Sequence, residues 1–152
     1  NELIYKFPDN AYFYETKGEI LLSFGYSNDA VKFFERSLTI NPSNDYIRIN
    51  IIQQLYNKMQ NKNDAKKILD ELNKIKIKID ENSNLLKIMS RAYEVLNKKD
   101  LMYICLSKIE ANQGNINEAL KYIKYAQEIT NDKNLLIKIK KIENKLNKAI
   151  NE

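Results

Sequence analysis

Apolar residues recur along this chain at helical spacing, three and four positions apart, with polar breaks every ten to fifteen residues. Tyr14, Gly18 and Leu21 share one face of a first helix. Ala30, Phe34 and Ser37 share one face of a second, in the order small, large, small. Gly25 falls between them, where a helix ends with a left-handed residue, and Ser27 or Asn28 is placed to cap the next helix. Pro42 stops the second helix, because proline cannot continue one. The pattern then repeats less regularly. Ile49, Ile52 and Tyr56, followed by Ala65, Leu69 and Leu72, predict another pair, with Gln53 in the place of Gly18 and Asn63-Asp64 as the cap. The segment Ile75-Lys76-Ile77-Lys78-Ile79 alternates like a strand, but it also continues the 3.6-residue period from Ala65, so it is expected to be helical.

After a polar break at Asp80–Asn84, Ser83-Asn84 opens a helix carrying Leu86, Met89, Ser90 and Tyr93. The next helix, Asp100–Gln113, reads two ways. Met102, Leu106 and Ile109 suit a second helix, whereas Tyr103, Leu106, Ser107 and then Gly114 suit a first helix, so it is expected to serve both roles. Ile116–Ile129 is a plain second helix with Ala119, Ile123 and Ala126 inside. Asn134–Ile150 carries Leu135, Ile139, Ile142, Leu146 and Ile150 on one stripe, with Lys138, Lys141, Lys145 and Lys148 opposite. Such a helix could bind a membrane surface or a partner, but the end of a stacked array needs a solvated cap, and that reading is preferred.

The stretch Ala11–Asn44 resembles a tetratricopeptide (TPR) repeat, a helix–turn–helix unit of about 34 residues with small and large residues at set places. One such unit cannot bury both its faces, so the rest of the chain should stack on it. The expected fold is all-α, a TPR-type right-handed superhelix of about eight antiparallel helices with a C-terminal capping helix. Residues 1–152 read as a single domain: a lead-in at 1–10, repeat one at 11–44, repeat two at 45–80, overlapping repeats three and four at 83–130, and the cap at 134–150. Leu3, Ile4 and Phe7 in the lead-in look like the tail of an upstream helix, and the absence of an initiator Met suggests a piece of a longer protein.

Composition narrows the chemistry. The chain has 152 residues, few helix breakers (3 Gly, 2 Pro) and a net charge of +5. The positive charge is almost all Lys interspersed with Asp and Glu, Arg occurs only at Arg36, Arg48 and Arg91, and no nucleic-acid-binding signature is present, so no nucleic acid is expected as partner. The excess of Lys, Asn and Ile has the look of an AT-rich genome. There is no histidine, which removes His-based catalysis and most zinc sites. The single Cys105 sits in an apolar context and reads as a buried, inert thiol. The three glycines are isolated, so no phosphate-cradling loop is formed. Adjacent carboxylates such as Asp70 and Glu71 read as solvated helix surface. No apolar run approaches a membrane span, so no membrane insertion is expected. The expected module is therefore not an enzyme and takes no cofactor or metal; it binds protein or extended peptide in a concave groove.

Groove positions follow from the repeat geometry: Tyr12, Glu15, Glu19 and Leu22 in repeat one; Ile47, Asn50, Gln54 and Asn57 in repeat two; Asn84, Lys87, Arg91 and Glu94 in repeat three. No paired Lys/Arg clamp for a C-terminal carboxylate is visible among them.

Phe7–Gly25, FPDNAYFYETKGEILLSFG, also resembles the start of the C-terminal TPR domain of BepA-like periplasmic zinc metallopeptidases of Gram-negative bacteria. Pro8, Asp9, Asn10, Tyr12, Phe13, Glu15, Lys17, Gly18, Ile20 and Leu21 carry the likeness. Ala11, Thr16 and Tyr14 depart from it, where that family usually has Pro, Leu and often His. Ala92-Tyr93, Asp100, Leu106, Glu110, Gly114 and Ala119 continue it. The resemblance implies a periplasmic location, an HExxH domain upstream, and a supporting role in outer-membrane protein quality control. The implied partners are the parent's own protease domain and outer-membrane assembly components. The alternative is a free-standing, cytoplasmic adaptor or scaffold for a secretion, pilus or signalling complex.

Overall fold

The computed structural model describes residues 2–150, Ile150 by its backbone alone. The lead-in's Asn1 and the Ile150 side chain expected on the final stripe lie outside the described residues. Among the described residues the chain is all-helical, with nine α-helices: α1 (Glu2–Lys6), α2 (Ala11–Ser23), α3 (Ser27–Ile40), α4 (Asp45–Asn57), α5 (Lys62–Leu72), α6 (Ser83–Val95), α7 (Lys99–Asn112), α8 (Ile116–Ile129) and α9 (Lys133–Ile150). A 3₁₀ turn spans Ile79–Glu81. The backbone forms two compact units. The first comprises the residues up to Gln60 with Asp70–Ile77, and the second Asn61–Leu69 with the residues from Lys78 onward.

In the first unit, Asn10 and Asn44 cap α2 and α4, their side-chain oxygens accepting from the N–H groups of Tyr12 and Ile47. Ala30, Phe34, Ile47 and Ile51 form the core, ringed by Leu21, Leu22, Val31, Leu38 and Leu55. Gly18 is the point of closest approach between α2 and α3. A Cβ there would lie 2.4 Å from Cε1 of Phe34, so only glycine lets this ring seat against the α2 backbone.

Among the described residues, two apolar clusters stand out in the second unit. One joins Ile104 to Ala119, Ile123 and Ala126 of α8 and to Ile139 and Leu146 of α9. The other joins Cys105 and Ile109 to Leu86 of α6. Helix α7 thus feeds both clusters and is apolar on two sides. Ile139 and Leu146 on the stripe of α9 are buried within its own unit, where this helix packs on α8.

One turn recurs three times. After α2, α6 and α7 the chain turns through a left-handed residue: Gly25 (φ 82°), Asn97 (φ 58°) and Gly114 (φ 82°). In each case the next N–H reaches back to the helix, Tyr26 to Leu21, Lys98 to Tyr93 and Asn115 to Glu110, all at 2.9 Å. Satisfying the last carbonyls this way is the Schellman solution. Counted from these turns, Ala30, Phe34 and Ser37 of α3 correspond to Ala119, Ile123 and Ala126 of α8, and to Met102, Leu106 and Ile109 of α7.

Several local expectations fail, each for a physical reason. Neither Ser27 nor Asn28 caps α3; the N-cap position is Tyr26, which makes no side-chain bond. For α5 the cap is Asn61, whose Oδ1 accepts from the N–H groups of Asn63 and Asp64, while Asp64 accepts in return from the Asn61 N–H. Helix α6, by contrast, opens at Ser83 as expected, with Asn82 as its cap, accepting from the N–H groups of Asn84 and Leu85. The segment from Ile75 to Lys78 is not helical, and Ile79 opens the 3₁₀ turn. Helix α5 ends at Leu72, and the Asp45 carboxylate accepts from the N–H groups of Lys76 (2.8 Å) and Ile77 (2.9 Å), holding the segment as an irregular strap.

Candidate partner-binding site

The twelve positions expected to line a groove separate once side chains are placed. On α2, Tyr12 is 64% exposed and Glu19 is exposed, whereas Leu22 is turned partly into the core. Glu15 is half-buried, and its Oε1 accepts from the Ser37 hydroxyl and the Asn44 amide, both at 2.9 Å. That carboxylate satisfies the fully buried Ser37 and fixes the start of α4 against α2.

Helix α4 requires a correction. Ile47 is fully buried in the core beside Phe34, and Gln54 is buried too, so neither can face a partner. Asn50 is half-buried and Asn57 is exposed, its Oδ1 accepting from Gln53. The true register is set by the caps. Eight residues beyond Asn10 is Gly18, and eight beyond Asn44 is Ile52, which is fully buried; Gln53, expected at that place, is exposed. Hydrophobic periodicity could not fix this, because α4 carries apolar residues on nearly every side. With the register moved by one, Tyr46, Ile49 and Gln53 take the positions equivalent to Tyr12, Glu15 and Glu19. Tyr46 is 62% exposed, and its hydroxyl lies 3.4 Å from Glu19 Oε1. Two exposed tyrosines and two carboxylates therefore share one face of the first unit.

The same shift exposes a residue that periodicity missed. Arg48 stands where Tyr14 stands in α2, yet it is only 7% exposed. Its guanidinium donates to Glu71 Oε2 at 2.6 Å and to the Pro42 carbonyl at 2.9 Å. Glu71 is accordingly not solvated surface. Partial burial raises its pKa, but hydrogen bonds from Lys74 and Arg48 outweigh this and hold it below its ordinary value of 4.5. The signal in the sequence was Arg itself, present only three times in a chain that otherwise uses Lys.

In the second unit Asn84, Lys87, Arg91 and Glu94 are all exposed on α6, with Arg91 and Glu94 paired to each other. Cys105 is buried, and burial pushes its thiol up to about 12, so it stays protonated and unreactive near neutral pH. Among the described residues no group of three or more Cys, Asp or Glu could hold a metal ion, and no helix is long and apolar enough to cross a membrane.

Residues 11–44 match the tetratricopeptide repeat family. The match covers α2, α3 and the Gly25 turn, the elements that present Tyr12, Glu15 and Glu19. Comparison with curated proteins gives no match. Tetratricopeptide repeats generally act as protein–protein interaction units, and their stacked arrays present extended concave surfaces to proteins or peptides.

Proposed function

We propose that this chain is a non-catalytic interaction module that holds extended polypeptide on the α2–α4 face of its first unit. The observation that carries this reading is the pair of exposed tyrosines, Tyr12 and Tyr46, beside Glu15 and Glu19 on a TPR scaffold. Tyrosine gives a large amphipathic contact with few rotatable bonds, which suits the centre of a binding patch. The carboxylates accept backbone N–H groups or basic side chains of the bound segment.

The test is a peptide array probed with the purified chain. Tyr12→Ser/Tyr46→Ser should lose the bound set while its circular dichroism stays unchanged. Phe24→Ser/Tyr26→Ser, which removes two equally exposed aromatics at the end of α2, should keep it. Equal loss in both variants would show generic stickiness and remove the assignment.

We further propose, from the Pro8–Leu21 pattern, that the module is the C-terminal part of a periplasmic zinc metallopeptidase, presenting substrate or partner to an upstream protease domain. The coding sequence that precedes Asn1 decides it. An HExxH helix behind a signal peptide supports this context, and its absence leaves a TPR adaptor.

A further inference from the structure

The second unit contains a cleft of about 400 Å³ between α6, α7 and α9. Its floor is apolar: Met89 and Tyr93 from α6, Leu101 and Ile104 from α7, and Leu135 and Ile142 from α9. Its rim is basic: Lys108 from α7, with Lys138 and Lys141 from α9. The single carboxylate at the rim, Asp80, is taken by Lys108 at 2.6 Å. Among the described residues, Lys138 and Lys141 have no carboxylate partner. They lie three residues apart on one helix, where like charges repel. An adjoining depression shares Leu101, Leu135 and Lys138 and carries Asp100 and Asp132. Both of those carboxylates accept backbone N–H groups, from Leu101 and from Asn134 and Leu135, and among the described residues neither forms an ion pair with Lys138 or Lys141.

We propose that this cleft docks a short acidic peptide segment that inserts one bulky apolar side chain between α6, α7 and α9. Two independent features of the cleft select that occupant. The volume falls in the range of ligand pockets and accommodates an aromatic or leucine side chain with room to adjust. Met89 on the floor lets the wall repack around different apolar groups. The two unneutralised lysines then supply charge complementarity to Asp or Glu on either side of the anchor. A flat anionic bilayer would not reach the floor, and a basic peptide would be repelled by the rim. The site lies wholly within the second unit and stands independently of the Tyr12–Tyr46 surface.

The test is fluorescence polarisation on the whole chain with three labelled peptides. One is Gly-Asp-Glu-Phe-Glu-Asp-Gly, one has Lys at the four acidic positions, and one has Ser in place of Phe. The acidic Phe peptide should bind at least tenfold more tightly than either control and should weaken as salt is raised. Lys138→Glu/Lys141→Glu, at exposed positions, should weaken it at least tenfold with unchanged circular dichroism, and Lys138→Gln/Lys141→Gln should fall between. Tyr12→Ser/Tyr46→Ser should leave this binding untouched, which separates failure here from failure of the first-unit surface. Equal binding of acidic and basic peptides, or no effect of the charge reversal, would overturn the proposal. So would binding of decanoate to the cleft with no binding of the peptide, which would make the occupant a small amphiphilic anion.

Discussion

Gly18→Ala tests whether the α2–α3 pair is held by backbone-to-ring contact. The new Cβ would lie 2.4 Å from Cε1 and 2.6 Å from Cδ1 of Phe34, where carbon atoms normally rest about 3.5–4.0 Å apart. The ring edge would have to retreat by about 1 Å. Phe34 is fully buried against Ala30, Ile47 and Ile51, so it has nowhere open to go. Overpacking of this kind costs about 1–3 kcal/mol, and this clash belongs at the upper end. Alanine offsets about 1 kcal/mol of that through its better helix propensity. The net expectation is a loss of about 2 kcal/mol, seen as a fall in Tm of roughly 4–8 °C for a chain of this size. Urea unfolding followed by circular dichroism, combined with Phe34→Leu in a double-mutant cycle, isolates the contact. The smaller side chain should cost less in the Gly18→Ala background than alone, with a coupling of about 1 kcal/mol or more. A Gly18→Ala protein as stable as the parent, or strictly additive variants, would refute the close approach.

Three further outcomes are expected. Glu71→Gln should lose about 2–4 kcal/mol at pH 7, because it leaves the buried Arg48 without its anion. Since the folded pKa of Glu71 lies below 4.5, the pair's contribution is fully present above that value and is lost as pH falls through the folded value; the gap between parent and variant in urea melts should therefore close in acid. Asn97→Gly should stabilise by roughly 0.5 kcal/mol and Asn97→Ala should destabilise by about 1 kcal/mol, both read from thermal melts, because φ is 58° there. Ile47→Ala should cost about 2–5 kcal/mol as a core truncation, whereas Tyr46→Ser should change stability by no more than about 0.5 kcal/mol while weakening peptide binding; the reverse pattern would restore Ile47 to the surface.

What the sequence determined by itself was everything set locally. Helix spacing, the turn at Gly25, the stop near Pro42 and the small residue at Gly18 follow from rules acting within one helix or one turn, and they identified the first repeat. The two-sided character of α7 was legible for the same reason, because both apolar stripes are written on one helix. Tertiary structure decided what depends on distant partners. On α4 every register buries isoleucines, so only the Asn44 cap and the pocket around Phe34 chose Ile47 for the core and Tyr46 for the surface. Asp45 decided that Ile75 and its neighbours form a strap, although their own period suits a helix. Glu71 became the half-buried partner of the buried Arg48 across 23 residues of chain. Lys138 and Lys141 at the rim of the second-unit cleft were legible as one basic face of α9, but their meeting with Lys108 of α7 over an apolar floor was decided by packing. Periodicity says which side of a helix is apolar; only packing says which neighbour covers it and which polar groups are left facing a partner.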